Sequence, residues 1–82
     1  MSPALFSPLQ VGTKVARNRL FVPPMCQYTL ENRDGVANYE TAQHYGALAR
    51  GGWGAIIAEA TAVTPAGRIT PWDLGLWNER QI

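Results

Sequence analysis

The sequence predicts an α/β segment: a strand, a helix and a second strand, with a β-hairpin before them and a long loop after them. Three observations carry that prediction. Leu20–Phe21–Val22 is a brief apolar run cut off by Pro23–Pro24. Residues 39–50 hold a helical spacing between Asn38 and Gly51–Gly52. Residues 55–58 form a second apolar run, Ala-Ile-Ile-Ala. Two buried strands joined through a helix make a right-handed parallel unit. Such a unit leaves two strand edges and an apolar face open, so it needs neighbours.

Taken in order, Leu9 and Val11 alternate with polar Gln10, the period of a half-buried strand. Gly12–Thr13 suits a hairpin turn, and Lys14–Val15–Ala16 a returning strand. Arg17–Asn18–Arg19 is a polar break. Leu20–Val22 then reads as a strand buried on both faces. Proline has no N–H for a central ladder and biases its predecessor toward extended backbone. The strand therefore ends near Pro23, and Met25 to Tyr28 lie at or beyond its C-terminal end.

Thr29–Ala37 is polar, with Asp34–Gly35 as a turn signal. Asn38 suits an N-cap, and Glu40 complements the helix dipole in the first turn. Tyr39, Ala42, Gly46 and Ala49 recur at spacings of three and four. This face of mostly small residues is expected to pack on the sheet. Arg50 and Gly51–Gly52 end the helix. Glu59 closes the second strand. Thr61–Trp77, with Pro65, Gly67, Pro71 and Gly75, reads as a long loop of the kind that carries function. Asn78–Ile82 is expected to begin a helix.

Composition narrows the function. A chain of 82 residues is one small domain, 1–82, and marginal by itself. Apolar residues make up 46%, which argues against disorder. Seven basic and 6 acidic residues leave a net charge of +1 with no basic run, so nothing points to nucleic acid or an anionic membrane. No apolar run approaches the roughly 20 residues of a bilayer span. Met1–Ser2–Pro3–Ala4 lacks the form of a signal peptide, and a cytoplasmic setting is expected. One cysteine, Cys26, makes no internal disulfide, and one histidine, His44, completes no metal cluster, so no metal is expected. With 8 Gly, 6 Pro and no staple, the chain is expected to work with a partner.

The residues that could carry chemistry cluster after the first strand, where α/β proteins place their sites. Cys26 either sets a thiol against a ligand or is a small buried apolar residue, the usual place of a free cysteine. Tyr28 shares its side if the backbone stays extended. Its phenol either hydrogen-bonds a ligand carbonyl or packs as a rim ring. His44, mid-helix, reads as a structural histidine bonded to a loop or neighbour. Glu59 either takes a ligand hydrogen bond or anchors loop amides. Arg68 suits an anion or a salt bridge equally. Neither common phosphate-binding glycine loop is present.

Several motifs then combine: Leu5–Phe6–Ser7–Pro8–Leu9, Arg17–Asn18–Arg19, Pro24–Met25–Cys26–Gln27–Tyr28, His44–Tyr45, Glu59–Ala60–Thr61–Ala62–Val63, Pro65–Ala66–Gly67–Arg68–Ile69 and Asp73–Leu74–Gly75–Leu76–Trp77. In this order and spacing they resemble the N-terminal part of the old yellow enzymes. The cysteine-and-tyrosine version resembles their thermophilic-like class. The resemblance implies the first part of a (β/α)8 TIM barrel: a bottom-closing hairpin at 9–16, a first strand at Leu20–Val22 and a second at Ala55–Ala58. It implies FMN at the strand ends and NAD(P)H as reductant. Pro24, Met25 and Cys26 would lie along the flavin, Cys26 tuning its potential, and Ala60 would bond the ring through its backbone. Tyr28 would face the substrate, an activated alkene such as an enone, enal or maleimide.

A barrel of this kind needs roughly 250 residues. The leading expectation is therefore an ene-reductase site completed by a second polypeptide, with the 82-residue chain inactive alone. The alternative is a truncated, non-catalytic chain that binds no flavin and self-associates through its strand edges. A thiol redox protein centred on Cys26 lacks the second cysteine it needs.

Overall fold

The computed structural model describes residues 3–82. After a 3-10 turn at Ala4–Phe6 comes the hairpin of β1 (Leu9–Val11) and β2 (Lys14–Ala16), antiparallel with Leu9 opposite Ala16. Gly12 sits in the turn at φ 60°, a conformation that costs glycine nothing. The Arg19 guanidinium gathers the entry segment, bonding the Ser7 hydroxyl at 3.0 Å and the Pro8 carbonyl at 3.0 Å.

The centre is the predicted strand–helix–strand unit. β3 (Phe21–Val22) and β4 (Ala55–Ile56) pair in parallel, Phe21 with Ala55 and Val22 with Ile56. The Gly54 amide donates to the Leu20 carbonyl at 2.8 Å, and the Ile57 amide to the Val22 carbonyl at 3.0 Å, so pairing continues beyond both ends. Asn18 aligns the two strands from below. Its Oδ1 accepts the Leu20 amide at 3.0 Å, and its Nδ2 donates to the Gly52 carbonyl at 2.8 Å.

Between the strands runs α1 (Tyr39–Arg50), with the predicted bounds. Asn38 accepts the Thr41 amide, and Thr41 Oγ1 accepts the Asn38 amide, a reciprocal cap. Replacing Asn38 with alanine is expected to cost about 1 kcal/mol of helix stability, read as a lower thermal midpoint; an unchanged midpoint would mean the cap is dispensable.

The packed face of α1 differs from the expected one. Thr41, His44, Tyr45 and Leu48 turn inward, while Ala42, Gly46 and Ala49 stay exposed and Tyr39 is 76% exposed. Both stripes have helical spacing. The inward stripe carries Tyr45, whose hydroxyl bonds Glu59 just beyond β4.

The long loop is also more ordered than its composition suggests. β5 (Thr61–Ala62) and β6 (Leu74–Gly75) form a second parallel pair, Thr61 with Leu74 and Ala62 with Gly75. Thr64 caps a 3-10 turn at Pro65–Gly67 between them. The Gly75 amide donates to the Gly35 carbonyl at 3.0 Å, which ties this pair to the segment after β3. Residues 79–81 form a single 3-10 turn capped by Asn78 rather than a longer helix.

Few apolar side chains are buried: Val22, Leu30 and Ala62 make up the described core. The radius of gyration is 15.3 Å, against about 12 Å for a compact domain of this length. Phe21, Ile57, Val63 and Leu76 remain exposed around the short sheets. No helix of the described residues is long and apolar enough to cross a membrane.

Candidate functional site

Beyond Val22 the chain leaves the sheet through Pro23–Pro24 and crosses the C-terminal ends of β3 and β4. This delivers Met25, Cys26 and Tyr28 to one rim, with Ala60 beyond β4. Met25 and Tyr28 are each 48% exposed, Ala60 is exposed and Cys26 is half-buried. The backbone does not stay extended as far as Tyr28, which turns into the left-handed region at φ 55°. That turn still keeps the phenol beside Cys26. Its ionisation is pushed above the ordinary tyrosine value, chiefly by its hydrogen-bonding contact with the Cys26 side chain, with smaller contributions from electrostatic interaction with Cys26, from burial and from Asp73.

Behind the rim lies Glu59, only 6% exposed. Its Oε2 accepts the Gln27 amide at 3.0 Å, and its Oε1 accepts the Tyr45 phenol at 3.1 Å. The Glu59 amide donates back to the same phenol oxygen at 2.9 Å. Burial pushes the Tyr45 phenol up, and the Glu59 carboxylate adds to the rise while its amide opposes it. Of its two readings, Glu59 takes that of an anchor for a loop amide.

His44 packs edge-on against Tyr45, with centroids 4.9 Å apart at 73°, inside the helix layer and away from the rim. Arg68 forms no salt bridge among the described residues. Its guanidinium bonds the carbonyls of Pro65 at 3.0 Å and Arg33 at 2.9 Å, and lies 5.3 Å from the Trp77 ring centroid. It pins the turn after β5 to the segment after β3. Two residues that the sequence did not single out contribute to the rim. Tyr45 was hidden by its place beside His44. Asp73, 2% exposed, holds the Ile69 amide at 2.7 Å and the Thr70 hydroxyl at 2.8 Å.

Pro24, Met25 and Ala60 are exposed on this rim. The amides of Met25, Cys26 and Ala60 have no hydrogen-bond partner among the described residues. No group of His, Cys, Asp and Glu suited to a metal occurs among the described residues.

Known proteins resemble this chain in sequence and in fold. The chain is 46% identical over 78 residues to an NADPH dehydrogenase of Listeria welshimeri, covering 95% of this chain and 23% of that enzyme. It is 44% identical over 82 residues to an NADPH dehydrogenase of Halalkalibacterium halodurans, covering 100% of this chain and 24% of that one. Among solved structures, the old yellow enzyme homologue from Zymomonas mobilis superposes with a TM-score of 0.83 at 33% identity, over 96% of this chain and 21% of that one. Morphinone reductase superposes with a TM-score of 0.83 at 33% identity, over 96% of this chain and 20% of that one. The hairpin, the β3–α1–β4 unit and the segment after it are thus the first part of a (β/α)8 barrel, and the chain spans about a quarter of the length of the curated relatives it matches. Residues 4–82 match the model of the NADH:flavin oxidoreductase / NADH oxidase family, and the chain belongs to that family.

Proposed function

We propose that this chain forms one wall of the FMN and substrate site of an NADPH-dependent ene-reductase, and that the remaining strands of the barrel complete that site. Family membership implies FMN as cofactor and NADPH as reductant. The observation that carries the reading is the exposed rim at the ends of β3 and β4, formed by Pro24, Met25 and Ala60, with free amides at Met25, Cys26 and Ala60.

FMN supplies the hydride relay from NADPH to the β-carbon of an activated alkene such as an enone, enal or maleimide. This chain's share is binding and orientation. Pro24 and Met25 would line the ring and keep water from one side of it. The Ala60 backbone would bond its polar edge. Cys26 would lie against the ring and tune how readily it accepts electrons. Tyr28 faces the substrate with a phenol that stays protonated at neutral pH.

The open edges of β3 and β4 support a partner that completes the sheet. The chain is purified alone and together with a polypeptide carrying the rest of the barrel, then assayed for flavin absorbance and NADPH-dependent enone reduction. A yellow, active assembly and a colourless chain alone are expected. An active chain alone would refute the need for the remaining strands. A colourless assembly would refute the flavin site and leave a self-associating segment. In the active assembly, Cys26→Ala is expected to shift the flavin potential and change turnover only modestly. Complete loss of turnover with flavin still bound would make Cys26 a covalent catalyst instead.

A further inference from the structure

We propose that Glu59 is a positioning residue that sets the separation between Cys26 and Ala60, and through it the affinity and reduction potential of the bound flavin. The inference rests on the function proposed above. It starts from two neighbours in sequence. Gln27, whose amide Glu59 holds at 3.0 Å, directly follows Cys26. Ala60 directly follows Glu59. One side chain therefore links the two segments that would touch the ring.

The third corner is α1. The Tyr45 phenol donates to Oε1 of Glu59 at 3.1 Å and accepts the Glu59 amide at 2.9 Å. The helix, the exit of β3 and the exit of β4 are thereby triangulated through a single carboxylate.

The choice of a carboxylate is chemically telling. Glu59 is 6% exposed, and the one ion pair among the described residues is Arg80–Asp34, so no cation offsets its burial. Such burial is costly unless the charge is well hydrogen-bonded. A glutamine of the same shape would avoid that cost. It cannot do the same task, however, because both side-chain partners are donors. The Gln27 amide offers only N–H, and the Tyr45 oxygen already receives the Glu59 N–H. A carboxylate accepts at both oxygens; a carboxamide accepts at one and donates at the other. Glutamine at this position either keeps Gln27 and turns its NH2 to the Tyr45 oxygen, which leaves the Tyr45 proton without its acceptor, or turns the other way and releases Gln27. Released on the Gln27 side, the Cys26 segment is free to drift, and small displacements of such a contact have large effects.

The test compares Glu59→Gln and Tyr45→Phe with wild type in the flavin-loaded assembly. It reads the FMN dissociation constant, the midpoint potential and the melting temperature. Glu59→Gln is expected to weaken FMN binding about tenfold, as loss of an orienting outer partner does at other bound centres, and to displace the potential. Tyr45→Phe, which keeps the Gln27 bond, is expected to move both readouts in the same direction by less. Variants with wild-type FMN affinity and wild-type potential, whatever their melting temperature, would overturn the proposal by reducing Glu59 to a structural group. If Glu59→Gln does not fold, Tyr45→Phe decides by the same two readouts. A wild-type assembly that takes up no FMN refutes the proposed function itself and this inference with it, a different result from flavin-loaded variants that behave as wild type.

Discussion

Gly54→Ala lowers the unfolding free energy by about 3 kcal/mol, the upper end of the usual cost of forcing a carbon into a filled site. A Cβ at Gly54 runs into the backbone carbonyl of Asn18 and lies 2.6 Å from its Oδ1. Asn18 has no room to withdraw. Its side chain is held by the Leu20 amide on one side and the Gly52 carbonyl on the other. The Gly54 amide is itself bonded to the Leu20 carbonyl at 2.8 Å. The added carbon can be accommodated only by moving β4 away from β3. The readout is urea unfolding: a lower midpoint with an unchanged slope. An unchanged midpoint would show that the Asn18 turn yields cheaply, contrary to this account.

Asp73→Ala is expected to cost about 2 kcal/mol, because it leaves two part-buried donors without the charged acceptor that holds them. Asp73 Oδ2 takes the Ile69 amide and Oδ1 takes the Thr70 hydroxyl. Thr70 Oγ1 in turn accepts the Trp72 amide at 3.2 Å, and the Trp72 carbonyl accepts the Leu30 amide at 3.4 Å. Leu30 lies two residues beyond Tyr28 and is buried. The loss should therefore travel from the loop between β5 and β6 to the segment that carries Tyr28. Hydrogen exchange should accelerate at the amides of Ile69 and Leu30 together. Acceleration at Ile69 alone would confine Asp73 to its own turn and break the link to Tyr28.

What the sequence disclosed depended on how local the cause was. The hairpin and the bounds of α1 were legible because their determinants lie within a few residues: the Gly12 turn, the Asn38 cap and the Gly51–Gly52 stop. The inward face of α1 was not legible. Ala42, Gly46 and Ala49 share a helical spacing with Thr41, His44, Tyr45 and Leu48 in competing stripes. A contact with Glu59, distant in sequence, selects between them. β5 and β6 were missed because each is two residues long, too short to show a period, and their pairing spans a loop of Pro and Gly.

The rim followed the same rule. Pro23–Pro24 marks the end of β3, so the place of Met25, Cys26 and Tyr28 could be read from the chain. The left-handed turn at Tyr28 could not, since nothing in the residue type requires it. Glu59 was visible as the polar end of an apolar run, but its partner Tyr45 carried no signal of its own. Arg68 looked open to an anion or a salt bridge because one carbonyl it binds, that of Arg33, lies in a separate stretch.

The register of the central pair also sets an order of events. Phe21 and Ala55 lie 34 residues apart in the chain (55 − 21). Closing a loop of that length loses chain entropy before any ladder bond forms. α1 lies wholly inside that loop and carries caps of its own, so it can nucleate without either strand. Once formed, it shortens the flexible path that remains to be closed. The expected sequence is helix first and parallel pairing last, with the docking of β3 on β4 as the rate-limiting step. A substitution at the Asn38 cap should then slow folding, while one at Ile56 should mainly speed unfolding.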